Sequence, residues 1–280
     1  MPGAPSFDPA IGAFYAAGGE EGRLTLGPFQ LERARTEELL LRHLPPAPAR
    51  ILDVGGAAGA YSCWLALRGY EVTLVDPVPL HVEQASRACD GHLDRAIAHV
   101  EQGDARALTA PDRHFDAVLM LGPLYHLPEP ADRRRAWAEA RRVARAGARV
   151  VAAAISRFAS VMDGLARGLF DDPAFAAIAE RDMREGRHVN DAGRPEYFTT
   201  AFFHRPEELA AEARDAGLAS VQVFGIEGPG AVLQDFDARW ADAAWRERLL
   251  WAARAMEQEP SIVGLSAHLL AVGTRPEGDR

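Results

Sequence analysis

The sequence contains no lysine, so its 31 basic side chains other than histidine are all arginines, and 40 acidic side chains outnumber them. The formal net charge is −9. This sign weighs against nucleic acid or an anionic membrane as the main partner. The sequence also lacks an apolar run near the ~20 residues that a membrane-spanning helix needs. Residues 1–9 lack the charged and apolar regions of a secretion signal. We therefore expect a cytoplasmic protein.

Cysteine is almost as scarce, because only Cys63 and Cys89 occur. Their spacing matches neither a metal site nor a disulfide framework, and we expect Cys63 to be a small buried apolar side chain. With 280 residues, 48% of them hydrophobic, the chain is long enough to bury a substantial core. Neither a repeat nor a linker divides it, so we predict a single domain over residues 1–280.

The most informative stretch lies at residues 50–61, where an apolar run ends in a cluster of small residues and a helix-forming segment follows. A strand, a small-residue turn and a helix together present backbone N–H groups to a ligand. The turn reads Asp53-x-Gly55-x-Ala57-x-Gly59, which is not the dinucleotide fingerprint G-x-G-x-x-G. Asp53 would repel a pyrophosphate. The turn therefore suits a ligand that carries positive charge and hydroxyl groups.

Apolar runs and amphipathic stretches alternate along the chain, which indicates an α/β fold. The helix predicted at residues 79–88 would turn Leu80, Val82 and Ala85 inward. The run at 115–121 is apolar almost throughout, as expected of a central strand covered on both faces. Further strands are predicted at 72–75, 97–100, 149–155, 221–226 and 267–272, and further helices at 30–44, 61–68, 131–145, 206–216 and 236–258.

The glycine turn resembles the first motif of the class I S-adenosylmethionine-dependent methyltransferases, whose ligand has a sulfonium, an ammonium and a ribose. Asp76 and Pro77 close the second strand, and Asp76 follows Gly59 by 17 residues. An acidic residue there is the ribose-binding position for nucleoside ligands. The segment Gly103-Asp104-Ala105 resembles the adenine-binding motif of the family. The resemblance implies that Asp104 accepts from the adenine amino group and that the backbone of Ala105 meets a ring nitrogen.

The helix before the first strand contains Arg35-Thr36, which resembles the same segment of the glycine N-methyltransferase-like enzymes. The resemblance implies that Arg35 holds the cofactor carboxylate and that Tyr15 closes over the cofactor. A surface arginine paired with Glu32 or Glu38 is the alternative.

The segment after the fourth strand carries Tyr125 and His126 and begins at Leu121. Ligands of open α/β sheets bind beyond the carboxyl ends of the strands, so topology delivers these residues to the site. The segment resembles the small-molecule branch of the family, in which it lies beside the transferred methyl group. His126, His188 and His204 are candidate bases. The Asn-Pro-Pro-Tyr signature of adenine and glutamine methylation is absent, and so is a catechol-type metal set.

The resemblance implies a Rossmann-like, seven-stranded, mostly parallel sheet with helices on both faces and an inserted helical cap. It also implies a reversed final strand between strands five and six. We divide the domain into an N-terminal lid and helix (1–49), a cofactor-binding half (50–155), a substrate cap (156–205) and the C-terminal half of the sheet (206–280). The cap is rich in aromatic side chains, which also suit packing onto the sheet.

We therefore predict an S-adenosylmethionine-dependent methyltransferase that acts on nitrogen or oxygen of a small molecule, as a monomer or homodimer, with no metal. An RNA methyltransferase, a nicotinamide-binding Rossmann protein and a catalytically silent binding module are the alternatives. The predicted cofactor-binding residues are Tyr15, Arg35, Asp53, Gly55, Gly56, Ala57, Gly59, Asp76, Pro77, Asp104, Ala105 and Leu121, and the predicted catalytic residues are Tyr125, His126 and His204.

Overall fold

The computed structural model describes residues 8–89 and 96–278. Its strands are β1 (Arg50–Val54), β2 (Glu71–Asp76), β3 (His99–Gln102), β4 (Phe115–Met120), β5 (Ala144–Ser156), β6 (Arg187–His188), β7 (Ala201–His204), β8 (Ala219–Gly225) and β9 (His268–Thr274). Its helices are α1 (Pro9–Ala16), α2 (Phe29–His43), α3 (Ala60–Ala66), α4 (Pro79–Arg87), α5 (Pro130–Val143), α6 (Ala159–Arg167), α7 (Pro173–Glu185), α8 (Pro206–Asp215), α9 (Phe236–Ala241) and α10 (Ala243–Met256).

Five helices of the described ranges begin with a proline, namely α1, α4, α5, α7 and α8. Proline suits the first helical position because the N–H that it lacks has no intrahelical partner there. Asp242 divides the helix that the sequence predicts at 236–258 into α9 and α10. Its side chain accepts from the backbone N–H groups of Ala244 and Trp245, which caps α10.

The central sheet has the order β3-β2-β1-β4-β5-β9-β8, in which β1 to β5 are parallel. The final strand β9 runs antiparallel to both β5 and β8. The predicted mostly parallel sheet and its reversed final strand are therefore confirmed, but the sheet has nine strands and not seven. Two short strands add to it: β7 pairs with the last two residues of β5, and β6 pairs with β7.

Both faces of the sheet are covered by helices, as predicted. On one face Val118 and Met120 of β4 pack with Trp137 of α5 and Leu209 of α8. On the other face Ala117 and Leu119 of the same strand pack with residues of α2 and α3, including Leu39, Leu40, Trp64 and Leu65. Burial of both faces explains the nearly continuous apolar sequence of β4. No helix within the described ranges has the length and apolar character needed to cross a membrane.

Two local expectations are wrong. The cysteines are paired: Cys63 of α3 and Cys89, just after α4, form a disulfide. In α4 the buried side chains are His81, Gln84 and Ala85, whereas Leu80 and Val82 are only partly buried. His81 turns inward because it lines a cavity at the carboxyl ends of the strands, and Gln84 does so because its amide donates to Glu21.

Candidate functional site

Two adjoining cavities open at the carboxyl ends of β1, β2 and β4. The first, called cavity A, is bordered by the ends of β2 and β3 and by α4, and holds about 660 Å³ of empty space with its open mouth included. The second, called cavity B, is bordered by α2 and by the ends of β1, β4, β5 and β9, and holds about 680 Å³ on the same measure. The two cavities adjoin, because Glu20, Gly55, Ala57, Gly122 and Tyr125 line both of them, and we call them together the groove.

The glycine turn forms the floor where the two cavities meet. Gly55 has a φ of +69°, and a Cβ added there would lie 2.8 Å from the ring of Pro123. A Cβ on Gly56 would lie 2.6 Å from Leu74. The turn is therefore pressed against its neighbours, and a ligand can approach its backbone closely. Gly59 caps α3 with a φ of +83° and borders neither cavity.

Asp53, at the end of β1, is a buried carboxylate with one oxygen free of partners among the described residues. Its Oδ2 accepts a hydrogen bond of 2.7 Å from the Ser62 hydroxyl, whereas its Oδ1 has no polar neighbour. Burial raises the pKa of Asp53 to about 6. An unsatisfied carboxylate oxygen beside the turn favours a cationic ligand group in cavity B.

Asp76, at the end of β2, is bound from three directions. It accepts from the backbone N–H groups of Ala57 and Val78, each at 2.9 Å, and its Oδ1 lies 3.0 Å from Nδ1 of His81. These bonds fix the carboxylate at the edge of cavity A, where Pro77 also lies. His81 was missed by the sequence analysis, although its place in the first turn of α4, five residues after Asp76, is the signal that could have found it.

Asp104 and Ala105 lie across cavity A from Asp76. The carboxylate of Asp104 is held by Arg106 at 2.6 Å, and Arg106 also bonds Asp132 at 2.8 Å. Arg106 donates three hydrogen bonds to this carboxylate, from its backbone N–H and Nε to Oδ1 and from Nη2 to Oδ2. The direction of Asp104 is therefore fixed, and one of the about four hydrogen bonds that a carboxylate accepts remains for a further donor. Leu121 lines cavity B.

Tyr15 and His126 meet across cavity A although 111 residues separate them. The Tyr15 hydroxyl lies 2.6 Å from Nε2 of His126, and Nδ1 of His126 lies 3.4 Å from the carbonyl oxygen of Thr200. Nδ1 must therefore carry the proton, so Nε2 accepts from Tyr15. Burial lowers the pKa of His126 to about 4 and raises that of Tyr15, which keeps the imidazole neutral and the phenol protonated.

Tyr125 borders both cavities. Its hydroxyl donates to the carbonyl oxygen of Leu121 at 3.3 Å, and burial raises its pKa. Tyr125 is therefore a neutral donor in the wall of the groove.

Arg35 and His204 lie apart from these cavities. Arg35 is fully buried, and its guanidinium is bound by Glu38, Glu257 and the carbonyl oxygen of Ile226. His204, on β7, faces Glu212, with its Nε2 3.3 Å from Oε2. Neither side chain borders the groove, because each is taken up by contacts between packed elements.

His188 is also structural. Its two ring nitrogens lie 2.7 Å from Asp182 and from the carbonyl oxygen of Tyr197, so both are occupied. Of the three candidate bases, only His126 reaches the groove.

Cavity B has a charged wall that the sequence analysis missed. Arg23 pairs with Glu20 at 2.7 Å and with Glu32 at 2.9 Å, and His268 lies behind Glu32. His268 could have been found from topology, because the first residue of a reversed strand lies at the carboxyl edge of its parallel neighbours. Arg23 lies in a Gly- and Pro-rich segment without a pattern, so no signal marks it.

A glycine turn at the end of β1, an acidic residue at the end of β2 and the groove beside them define a nucleoside-binding α/β protein. Residues 51–147 match the family model described as a methyltransferase domain. The ubiquinone/menaquinone biosynthesis C-methyltransferase UbiE of Rhodopseudomonas palustris is 34% identical over 183 residues, which cover 62% of this chain and 68% of that one. The chain belongs to the S-adenosylmethionine-dependent methyltransferases.

Other relatives agree with this assignment. The ubiquinone biosynthesis O-methyltransferase of Stutzerimonas stutzeri is 29% identical, over 66% of this chain and 70% of its own. Among solved structures, a methyltransferase of Thermotoga maritima described as a possible histamine N-methyltransferase has a TM-score of 0.56 at 18% identity, over 95% of this chain and 99% of that one. A putative methyltransferase of Haloferax volcanii, solved with its activator Trm112, has a TM-score of 0.60 at 16% identity, over 98% and 100%.

These findings confirm the predicted enzyme class and its cofactor, S-adenosylmethionine. They give no support to the nicotinamide alternative. The structural neighbours share less than a fifth of their sequence with this chain and show the fold alone.

Proposed function

We propose that the protein methylates a hydroxyl oxygen of a small molecule and that Tyr15 and His126 take up the proton. The observation that carries this proposal is the 2.6 Å contact between the Tyr15 hydroxyl and the bare Nε2 of a neutral His126 beside the groove. An alcohol or phenol must lose its proton on attack, whereas an amine with a lone pair needs no base.

Bound S-adenosylmethionine supplies an electrophilic methyl group on its sulfonium. For its nucleoside we propose that Asp76 accepts from the ribose hydroxyls and that Asp104, the backbone of Ala105 and Pro77 border the adenine in cavity A. The 5′ substituent would then pass the glycine turn into cavity B. There Asp53 faces the positive charges, Leu121 lines the wall and Arg23 binds the carboxylate. Arg23 takes the role first expected of Arg35, whose guanidinium is already satisfied.

The residues of the chain move one proton in this scheme. The acceptor hydroxyl donates to Oη of Tyr15 while Tyr15 passes its own proton to Nε2 of His126. Bound S-adenosylmethionine would supply the methyl group to the acceptor oxygen, with its thioether as the leaving group. The positive charge that His126 gains would then replace the charge of the sulfonium, so the net charge of the groove would not change. Burial lowers the pKa of His126, but the carboxylate of Asp76 acts in the opposite direction. Asp76 therefore helps to stabilise the imidazolium.

We also propose that residues 156–205 cover the acceptor. The support is that this segment reaches His126: the carbonyl oxygen of Thr200 accepts from Nδ1, and the ring of Phe198 lies 5.8 Å from the imidazole. Phe198 also contacts Phe14 of α1 at 5.4 Å, so the two covering segments meet above the groove. An aromatic surface with few polar groups suits a small, partly apolar acceptor. The single-domain organisation, the cytoplasmic location and the monomeric or homodimeric state remain predictions.

The test is to incubate the protein with methyl-deuterated S-adenosylmethionine and a metabolite extract, and to identify labelled products by mass spectrometry. We expect a label on oxygen. We also expect Tyr15→Phe and His126→Asn each to lower kcat by about a hundredfold, the lower end of the contribution of acid–base groups, about 10²–10⁴. Tyr70→Phe is the control, because its hydroxyl binds the carbonyl oxygen of Pro45 away from the groove. Label found only on nitrogen, or full activity in both variants, would contradict the proposal.

A further inference from the structure

The charged wall of cavity B contains a cation that neither the glycine turn nor the proton pair uses. Nδ1 of His268 lies 2.5 Å from Oε1 of Glu227 and 3.8 Å from Oε2 of Glu32. The ligand atoms of the three side chains fall within 4.8 Å of one another. Glu227 is itself fixed, because its Oε2 accepts from the Ser266 hydroxyl at 2.8 Å and from the backbone N–H of His268 at 3.1 Å. His268 is thus held in place at the start of β9.

The imidazole of His268 is positively charged at neutral pH. Burial opposes this charge, but Glu32 and Glu227 raise the pKa of His268 to about 9. The same contact acts on its partner: although burial opposes it, His268 and Arg23 lower the pKa of Glu32. Glu32 is therefore an ionised carboxylate that lies between two cations.

Glu32 binds Arg23 through both of its oxygens, at 2.9 and 3.2 Å. Arg23 also binds Glu20. Arg23 thus has two acidic partners. Unless a second cation also interacted with Glu32, Arg23 would attract a ligand carboxylate only weakly. His268, 3.8 Å from Oε2 of Glu32, is the second cation beside this carboxylate and offsets part of its charge.

We propose that His268 is a positioning residue for the amino-acid end of the cofactor: by neutralising Glu32, it leaves Arg23 able to bind the cofactor carboxylate. The inference rests on the proposed place of that carboxylate in cavity B. Arg23 and His268 set two positive charges against the three carboxylates of Glu20, Glu32 and Glu227, and without His268 one cation would face all three. The wall thereby offers charges of both signs to a group that carries an anion and a cation. Asp53 faces the cation from the other wall of the cavity.

The probes are three ligands that share adenosine and differ at the 5′ end: S-adenosylhomocysteine, its decarboxylated analogue and 5′-methylthioadenosine. Calorimetry is carried out on the wild type and on His268→Gln. We expect the variant to lose at least tenfold in affinity for S-adenosylhomocysteine, as when a charge-assisted contact is lost. The two ligands without a carboxylate should bind the variant as they bind the wild type.

The matched control is His99→Gln, because His99 also pairs with a glutamate, Glu101 at 3.4 Å, but on the exposed edge strand β3 and away from both cavities. It should change none of the affinities. His268→Arg restores the charge and should recover part of the loss.

An equal loss for all three ligands in His268→Gln would overturn the inference, because it would show that His268 only supports the shape of the site. Sensitivity of binding to EDTA would also overturn it, since a metal ion would then supply the charge. If the wild type bound none of the three ligands, the proposed cofactor site itself would be wrong, and this outcome is distinct from both others.

Discussion

Replacing Asp76 by Asn tests the ribose site with the smallest change in shape. In the structure its carboxylate accepts from two backbone N–H groups and from His81. Asn keeps one acceptor oxygen but presents an NH₂ group in place of the other, where a ribose hydroxyl would lose its acceptor and the N–H of either Ala57 or Val78 would face a donor. Asp76→Ala would be less informative, because it would leave both of these N–H groups without their partner.

The expected loss follows from the nature of the bond. A hydrogen bond to a charged group contributes about 1.5–3 kcal/mol. At about 1.4 kcal/mol for each factor of ten, this corresponds to an increase of roughly 10- to 150-fold in the dissociation constant of S-adenosylhomocysteine.

The assay compares S-adenosylhomocysteine with its 2′-deoxy and 3′-deoxy analogues by calorimetry. The wild type should bind the deoxy analogues more weakly, and Asp76→Asn should remove most of that difference, because the hydroxyl and its acceptor form one interaction. Asp116→Asn is the control, since Asp116 accepts from the backbone N–H of Arg50 and pairs with Arg145 outside the groove. If Asp76→Asn weakened the ribo and deoxy ligands by the same factor, the ribose assignment would be refuted.

Two further predictions concern the glycine turn and the carboxylate beside it. Gly55→Ala should lower the free energy of unfolding by about 1–3 kcal/mol through overpacking against Pro123. Gly193 also has a positive φ, but a Cβ added there would meet no atom within 4 Å, so Gly193→Ala measures the cost of the backbone conformation alone. An equal loss of unfolding free energy at both sites in denaturant titrations would show that the contact with Pro123 is unimportant. For Asp53, whose pKa burial raises to about 6, ionisation creates the partner of the ligand cation. The affinity for S-adenosylhomocysteine should therefore rise as the pH increases through about 6, and Asp53→Asn should abolish this rise. If the variant kept the pH profile of the wild type, Asp53 would not be the group that causes it.

The parts of the fold that the sequence predicts correctly are those in which burial imposes a pattern. The apolar run of β4 reflects cover on both faces, and the small residues of the turn reflect close packing against Pro123 and Leu74. The strands β6 and β7, of two and four residues, are too short to show a period. The inward face of α4 was predicted wrongly because periodicity places leucine and valine inward, whereas His81 lines a cavity and binds Asp76, and Gln84 binds Glu21.

Two arginines at or near the site, Arg35 and Arg23, also have positions that the sequence pattern does not predict. A helix pattern indicates that Arg35 lies near the first strand, but not that Glu257 and Ile226, about 200 residues further along the chain, take up its guanidinium. Arg23 reaches the groove from a segment with no period at all. Arg35 also pairs with Glu38, as the alternative interpretation allowed, but its distant partners decide its burial. The partners of Arg23, Glu20 and Glu32, are near in sequence, but their spacing does not indicate that the arginine faces the groove.

The contact between Tyr15 and His126 has a consequence for how acceptor preference can change. The groove that we assign to the nucleoside is built from the ends of the central strands, whereas the surroundings of His126 are completed by α1 and by the segment that carries Phe198 and Thr200. We expect that exchanging these two peripheral pieces between related enzymes would redirect acceptor choice while the shared scaffold went on holding the methyl donor. Such enzymes would then acquire new acceptors by replacement of peripheral segments that the sheet does not need in order to form.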